Sequence, residues 1–146
     1  MPKPVTPLLA ADALIELIDQ PERPIVLIER KNIPYGWAIP GGFVDVGEAV
    51  EVTAVREARE EVCLEVTLTA LLGVYSDPGR DSRGHTVTVI YTAQATGMPQ
   101  AADDAKSVGI FTLDDLPAPL AFDHAQVLED YRRYRETGEG APLRHL

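Results

Sequence analysis

Hydrophobic positions along the chain alternate, cluster or recur at helical spacing, and each pattern predicts an element. Residues 11–18 fit two patterns. Alternation would put Ala11, Ala13, Ile15 and Leu17 on one strand face, whereas Leu14, Ile15, Leu17 and Ile18 also suit a helix. Pro21 and Pro24 bracket a turn. Residues 25–28 form a continuous apolar run, as in a buried strand, closed by Glu29-Arg30-Lys31. Pro34-Tyr35-Gly36 starts another turn, and residues 37–39 are a short extended piece before Pro40-Gly41-Gly42. Residues 49–62 contain no Gly or Pro and read as a helix. Residues 67–75 read as a strand and residues 76–84 as a polar loop. Residues 86–93 alternate: Val87, Val89, Tyr91 and Ala93 face one way, Thr86, Thr88, Ile90 and Thr92 the other. A second loop over residues 96–106 precedes a short strand at 108–112. A terminal helix follows, with Asp123 and Gln126 spaced for a capping box and Phe122 and Val127 for a hydrophobic staple. Leu128, Tyr131 and Tyr134 supply its packing stripe. Gly138 and Gly140 end it, and residues 137–146 are expected to be a mobile tail. Strands with one central and one terminal helix predict a mixed sheet between helices, in a single domain over residues 1–146.

Composition narrows the chemistry. The 146 residues are 45% apolar and 25% charged, as in an ordinary globular protein. No apolar run approaches the roughly 18 residues of a membrane span, and Met1-Pro2-Lys3-Pro4 does not begin a signal peptide. The expectation is a cytoplasmic chain with no membrane partner. Cys63 is the single cysteine, which excludes an internal disulfide. The formal net charge of -10 argues against nucleic acid as a partner. It would also repel a free nucleotide unless divalent cations bridged carboxylates to phosphates.

Glu57, Glu60 and Glu61 sharpen that condition. On a helix they share one face. They sit near the C-terminal end, where the helix dipole disfavours negative charge. Arg56 can pair with Glu60, and Arg59 offers some relief, but neither cancels the cluster. Mg²⁺, which takes oxygen ligands, would. Upstream, Gly41-Gly42 permits a tight turn whose backbone can approach a ligand, and Gly47-Glu48 puts an acid at the helix start.

The segment GGFVDVGEAVEVTAVREAREEVCL, residues 41–64, resembles the Nudix box G-x5-E-x7-R-E-U-x-E-E-x-G-U, where U is bulky and apolar. Gly42, Glu48, Arg56, Glu57, Glu60 and Glu61 all match. Ala58 is smaller than usual at U, and Cys63 replaces the last glycine; at positive φ that would cost roughly 1 kcal/mol or more. The resemblance implies an α/β/α sandwich with a central mixed β-sheet. It also implies hydrolysis of a nucleoside diphosphate linked to another moiety. It makes Glu57, Glu60, Glu61 and the Gly41 carbonyl ligands of Mg²⁺, with Mn²⁺ as substitute. Arg56 would orient the glutamates and Glu48 support the loop or help bind metal. The general base would be Glu57 or a loop carboxylate, Asp103 or Asp104.

Residues 75–85, YSDPGRDSRGH, are similar to the YSDPxRDPRGH stretch of Nudix enzymes often assigned as ADP-ribose pyrophosphatases, with Ser82 where proline is usual. Arg80, Arg83 and Asp104 are then candidate substrate-binding residues. His85, His124, Tyr35 and Trp37 have plainer roles in packing or capping as alternatives. Three functions stay open: a hydrolase of ADP-ribose or a related sugar nucleotide, a (d)NTP pyrophosphohydrolase, and a non-catalytic nucleotide sensor. A homodimer also stays open.

Overall fold

In the computed structural model, which describes residues 2–146, the first ambiguous segment is a strand. β1 (Leu8–Leu17) pairs in parallel with β6 (Thr86–Ala95) along its whole length, Leu8 opposite Thr86 and Leu17 opposite Ala95. Pairing at that register favours the strand over a helix, because Ala11, Ala13, Ile15 and Leu17 then all enter one core.

The remaining elements are β2 (Ile25–Arg30), β3 (Trp37–Ala38), β4 (Gly41–Phe43), α1 (Val50–Val62), β5 (Thr67–Tyr75), β7 (Ala105–Phe111) and α2 (His124–Thr137). The main sheet path runs β3-β2-β1-β6-β5, with β4 also on β1 and β7 on β2. The parallel β1–β6 pair among antiparallel neighbours makes the sheet mixed, as expected. Each face carries one helix. Ala54, Ala58 and Val62 of α1 pack with Val26 and Ile28 of β2 on one side; Val127, Leu128 and Tyr131 of α2 pack with Ile25 and Leu27 on the other. β2 is therefore buried on both faces, which is why it reads as a continuous apolar run. Ala58 lies wholly inside the first core, so its small side chain fits the helix–sheet contact.

β1 forks the sheet. Its first half pairs with β4, Asp12 opposite Gly41, whereas Glu16 further along meets Ile25 of β2. The change of partner leaves a cleft between β2 and β4, above the middle of β1.

Three local expectations change. Asp123 precedes α2 but makes no capping bond with its side chain, because Arg80 takes its carboxylate. Phe122 packs with the α1 core and Val127 with the α2 core, so no staple forms. Strand β7 starts at Ala105, inside the segment expected to be loop. Gly138 does cap α2 in a left-handed conformation. Beyond it, Ala141 N–H donates to Leu72 O at 2.8 Å and Arg144 Nη2 to Asp130 Oδ1 at 2.6 Å.

Candidate active site

The cleft has a volume of about 320 Å³ and draws its walls from β1, β2, β4, α1, β6 and the loops around residues 80 and 104. The helical wall is organised by Arg56. Its Nε and Nη2 donate to Glu48 at 2.7 and 3.0 Å, and its Nη1 to Glu57 at 3.0 Å and Glu60 at 3.1 Å. A further bond from Nη2 to Phe43 O, 3.2 Å, ties the helix to β4. Glu48 also accepts from the buried Thr53 hydroxyl at 2.5 Å. The Arg56 guanidinium beside Glu48 holds its carboxyl down at about 2. Glu48 thereby anchors Arg56.

Glu57 and Glu61 line the cleft; Glu60 is exposed, turned to Arg56 and outside the lining. Gly41 N–H donates to Glu61 Oε1 at 2.8 Å. A Cβ on Gly42 would stand 2.5 Å from Glu57 Oε1. The glycine pair thereby lets both carboxylates reach the β4 backbone. Burial, with Glu57, Asp12 and Asp104 nearby, pushes the Glu61 carboxyl up to about 8. Burial also raises Glu57.

A hard divalent cation fits these donors. Among the described residues no three acidic, histidine or cysteine side chains converge into a ready cage. Mg²⁺ asks for less: one or two carboxylates, waters and substrate phosphates. Glu57, Glu61 and the Gly41 backbone would hold it here, and its charge would offset the crowding of carboxylates.

The opposite wall separates the two loop arginines. Arg80 is buried, with a side chain only 3% exposed. Its Nε and Nη2 donate to both Asp123 oxygens at 3.0 and 2.7 Å, and its Nη1 to Thr88 Oγ1 at 2.6 Å. It ties the loop to β6 and the start of α2. Arg83 is 40% exposed; it donates to both oxygens of Asp81 and lies 5.5 Å from the rings of Phe43 and Phe122. It can still face a ligand across the cleft. Asp104 lines the cleft; Asp103 does not, and its carbonyl accepts from Lys31 Nζ at 2.7 Å. His85 and Tyr35 lie outside the lining, and Trp37 packs edge-on against Phe111.

Sequence reasoning missed Asp12, Arg30, Phe43 and Phe122, and left His124 undecided. Asp12 is buried in the cleft, and burial pushes its carboxyl up to about 8. A charged residue inside the apolar run of β1 was the available signal. Arg30 sits 4.9 Å over the Phe122 ring and donates to Pro34 O at 2.7 Å; among the described residues it makes no ion pair with a carboxylate. His124 is a lining residue whose Nδ1 accepts the Ile39 N–H at 3.1 Å. Burial pushes its ring down to about 3, so it stays neutral. Cys63 caps α1 at φ 60°, the left-handed region that a glycine would occupy without strain.

A metal-assisted phosphoanhydride hydrolase is the class of protein that such a cleft suits. The NUDIX domain model matches residues 7–131, and the chain belongs to the Nudix family. It is a Nudix pyrophosphohydrolase by that match and by its relatives, and hydrolases of this family generally use divalent metals. The chain is 44% identical over 132 residues to an ADP-ribose pyrophosphatase of Methanocaldococcus jannaschii, spanning 88% of this chain and 75% of that one. A putative 8-oxo-dGTP diphosphatase of Bacillus subtilis is 37% identical over 86 residues, 59% of this chain and 54% of the other. The Nudix domain of Shewanella oneidensis NrtR, solved with ADP-ribose, superposes with a TM-score of 0.78 at 32% identity, covering 91% of this chain and 90% of that one. Among the described residues no helix is long and apolar enough to cross a membrane.

Proposed function

We propose that this chain hydrolyses the pyrophosphate bond of ADP-ribose or a closely related sugar nucleotide, with Mg²⁺ held at Glu57, Glu61 and the Gly41 carbonyl. The observation that carries the reading is the two-sided cleft. Glu57 and Glu61 line one wall and Arg83 stands on the other. Extensive similarity to a relative named for ADP-ribose hydrolysis supports it. When bound, the cation polarises the phosphoryl oxygens and eases deprotonation of the attacking water.

The chain's own groups have separable tasks. Arg56 fixes the Glu57 carboxylate through its bond at 3.0 Å. Glu57 or Asp104 takes the proton from water; both line the cleft. Arg83, held by Asp81 from behind, meets phosphate or the terminal ribose with its remaining N–H groups. Arg80 positions the loop rather than the substrate. Water adds across the P–O–P bridge, giving AMP and ribose 5-phosphate from ADP-ribose.

The alternative is a (d)NTP pyrophosphohydrolase, favoured by the 37% identity to the Bacillus protein over 86 residues. A panel of ADP-ribose, NADH, diadenosine polyphosphates and dGTP, assayed with Mg²⁺, separates the two. Preferred turnover of ADP-ribose, abolished by EDTA, is the expected result. Preferred turnover of dGTP replaces the first reading by the second, and full activity in EDTA removes the metal from both.

A further inference from the structure

Two carboxylates of β1, Asp12 and Glu16, lie on the same face of the strand and are each 6% exposed. The fold satisfies only one. Glu16 accepts from Tyr131 Oη at 2.9 Å and Arg135 Nη2 at 3.2 Å, and Arg23 closes on its other oxygen. Asp12 receives no hydrogen bond from any described residue. The nearest nitrogen recorded against it is Nε2 of the neutral His124 ring at 3.6 Å, beyond hydrogen-bonding reach. The ring is held from its other side, where Nδ1 accepts the Ile39 N–H.

The Asp12 oxygens are reached from the cleft rather than sealed in the core, so a ligand that displaces water there leaves them unpaired unless it brings a donor. Asp12 lines the cleft rather than a closed core. Room for it depends on its strand partner. A Cβ on Gly41 would fall 1.8 Å from Asp12 Oδ1. Glu61 has the Gly41 N–H, Glu57 has Arg56 and Asp81 has Arg83, so the neighbouring carboxylates already have donors.

We propose that Asp12 is a specificity-determining residue, the acceptor in this cleft for an N–H or O–H donor of the nucleotide substrate. The inference rests on the hydrolase reading above. The donor has two sources, the exocyclic amine of the base or a ribose hydroxyl, and both present the same chemistry. A site built to accept such a donor discriminates against analogues that lack it, because the carboxyl oxygen is then left desolvated and unpaired.

The test compares wild type, D12A and D12N, with wild-type turnover of ADP-ribose measured first. Binding of the non-hydrolysable α,β-methylene ADP-ribose is then measured in saturating Mg²⁺, beside its inosine, 2′-deoxy and 3′-deoxy counterparts. D12A should bind the parent analogue roughly 10–100-fold more weakly. D12N, which keeps one acceptor, should recover part of the loss. Neither should lower Tm, since the fold gives this carboxylate no bond to lose. The counterpart lacking the contacted donor should bind D12A no more weakly than wild type, and its identity names the source. An equal loss on every analogue overturns the inference. So does unchanged affinity with a lowered Tm, which makes Asp12 structural, or a shift confined to the Mg²⁺ activation constant, which makes it a metal ligand. A wild type that turns over dGTP and not ADP-ribose sinks the substrate assignment separately, and the same comparison is then made with dGTP and dITP.

Discussion

The helical wall and the loop wall of the cleft both centre on an arginine, Arg56 and Arg80, yet the two are built from different distances in sequence. Arg56 reaches Glu48, Glu57 and Glu60, all within eight residues along the chain. Arg80 reaches Thr88 nearby but takes its carboxylate from Asp123, 43 residues away. A local network can be read from spacing, because helix geometry fixes which side chains meet. A network closed by tertiary contact cannot. Arg80 and Arg83 look equivalent in sequence; both line the cleft, but only the fold buries Arg80 in side-chain bonds and leaves Arg83 partly exposed.

The largest expected effect tests the helical wall. Glu57→Gln keeps the shape and removes the charge, and kcat should fall roughly 10²–10⁴-fold. Tm should hold, since a crowded carboxylate is removed. Asp104→Asn assayed beside it assigns the base: a comparable fall with unchanged Mg²⁺ dependence points to Asp104. Near-normal kcat in Glu57→Gln would end the proposed role of that wall.

The loop wall is next. Arg80→Ala leaves Asp123 without its bidentate partner and should cost roughly 3 kcal/mol of stability, read by denaturant melts. Arg83→Ala should leave stability nearly unchanged and lower kcat/KM for ADP-ribose about 10–100-fold. Swapped outcomes, with Arg83 the destabilising deletion and Arg80 the kinetic one, would reverse the contrast between these residues.

A smaller effect concerns the floor behind both walls. Burial holds the folded His124 ring at about 3, against 6.5 for an ordinary histidine. Asp123 works against that shift, Arg80 and Arg30 with it. Above pH 6.5 both folded and unfolded rings are neutral and His124 contributes no pH dependence. Below it the unfolded chain takes up the proton first, so stability falls with pH until about pH 3. The loss should reach about 2 kcal/mol by about pH 5, at about 1.4 kcal/mol per pH unit. Asp12 runs the other way, its raised folded value favouring the fold as pH falls. Comparing wild type with His124→Asn isolates the histidine, because Asn can accept the Ile39 N–H and does not titrate. Parallel Tm–pH curves would show that the ring is charged in the fold.

The smallest effect is at the end of α1. Cys63→Gly relieves a left-handed conformation at φ 60° and should add about 1 kcal/mol to stability without altering kcat. A destabilised Cys63→Gly would mean that the thiol has packing value in its exposed position.

By itself, the sequence determined the acidic helix, its glycine turn and the strand pattern, because these depend on residues close together along the chain. It also posed the question at Cys63, since a cap position follows from where a helix must end. The alternation of β6 was legible too, but not which face is enclosed. Thr86, Thr88 and Thr92 are buried despite their hydroxyls; Arg80 donates to Thr88 Oγ1, and Thr92 pairs with the Thr69 hydroxyl across the sheet. The tertiary structure alone decided that residues 8–17 are a strand, since periodicity allowed two answers and pairing with β6 selected one. It alone brought Asp12, Arg30, Phe122 and His124 to the box, from three parts of the chain, and gave Glu16 donors while leaving Asp12 without any. Satisfaction of a buried polar group depends on what packs opposite it, and a linear sequence does not record its opposite side.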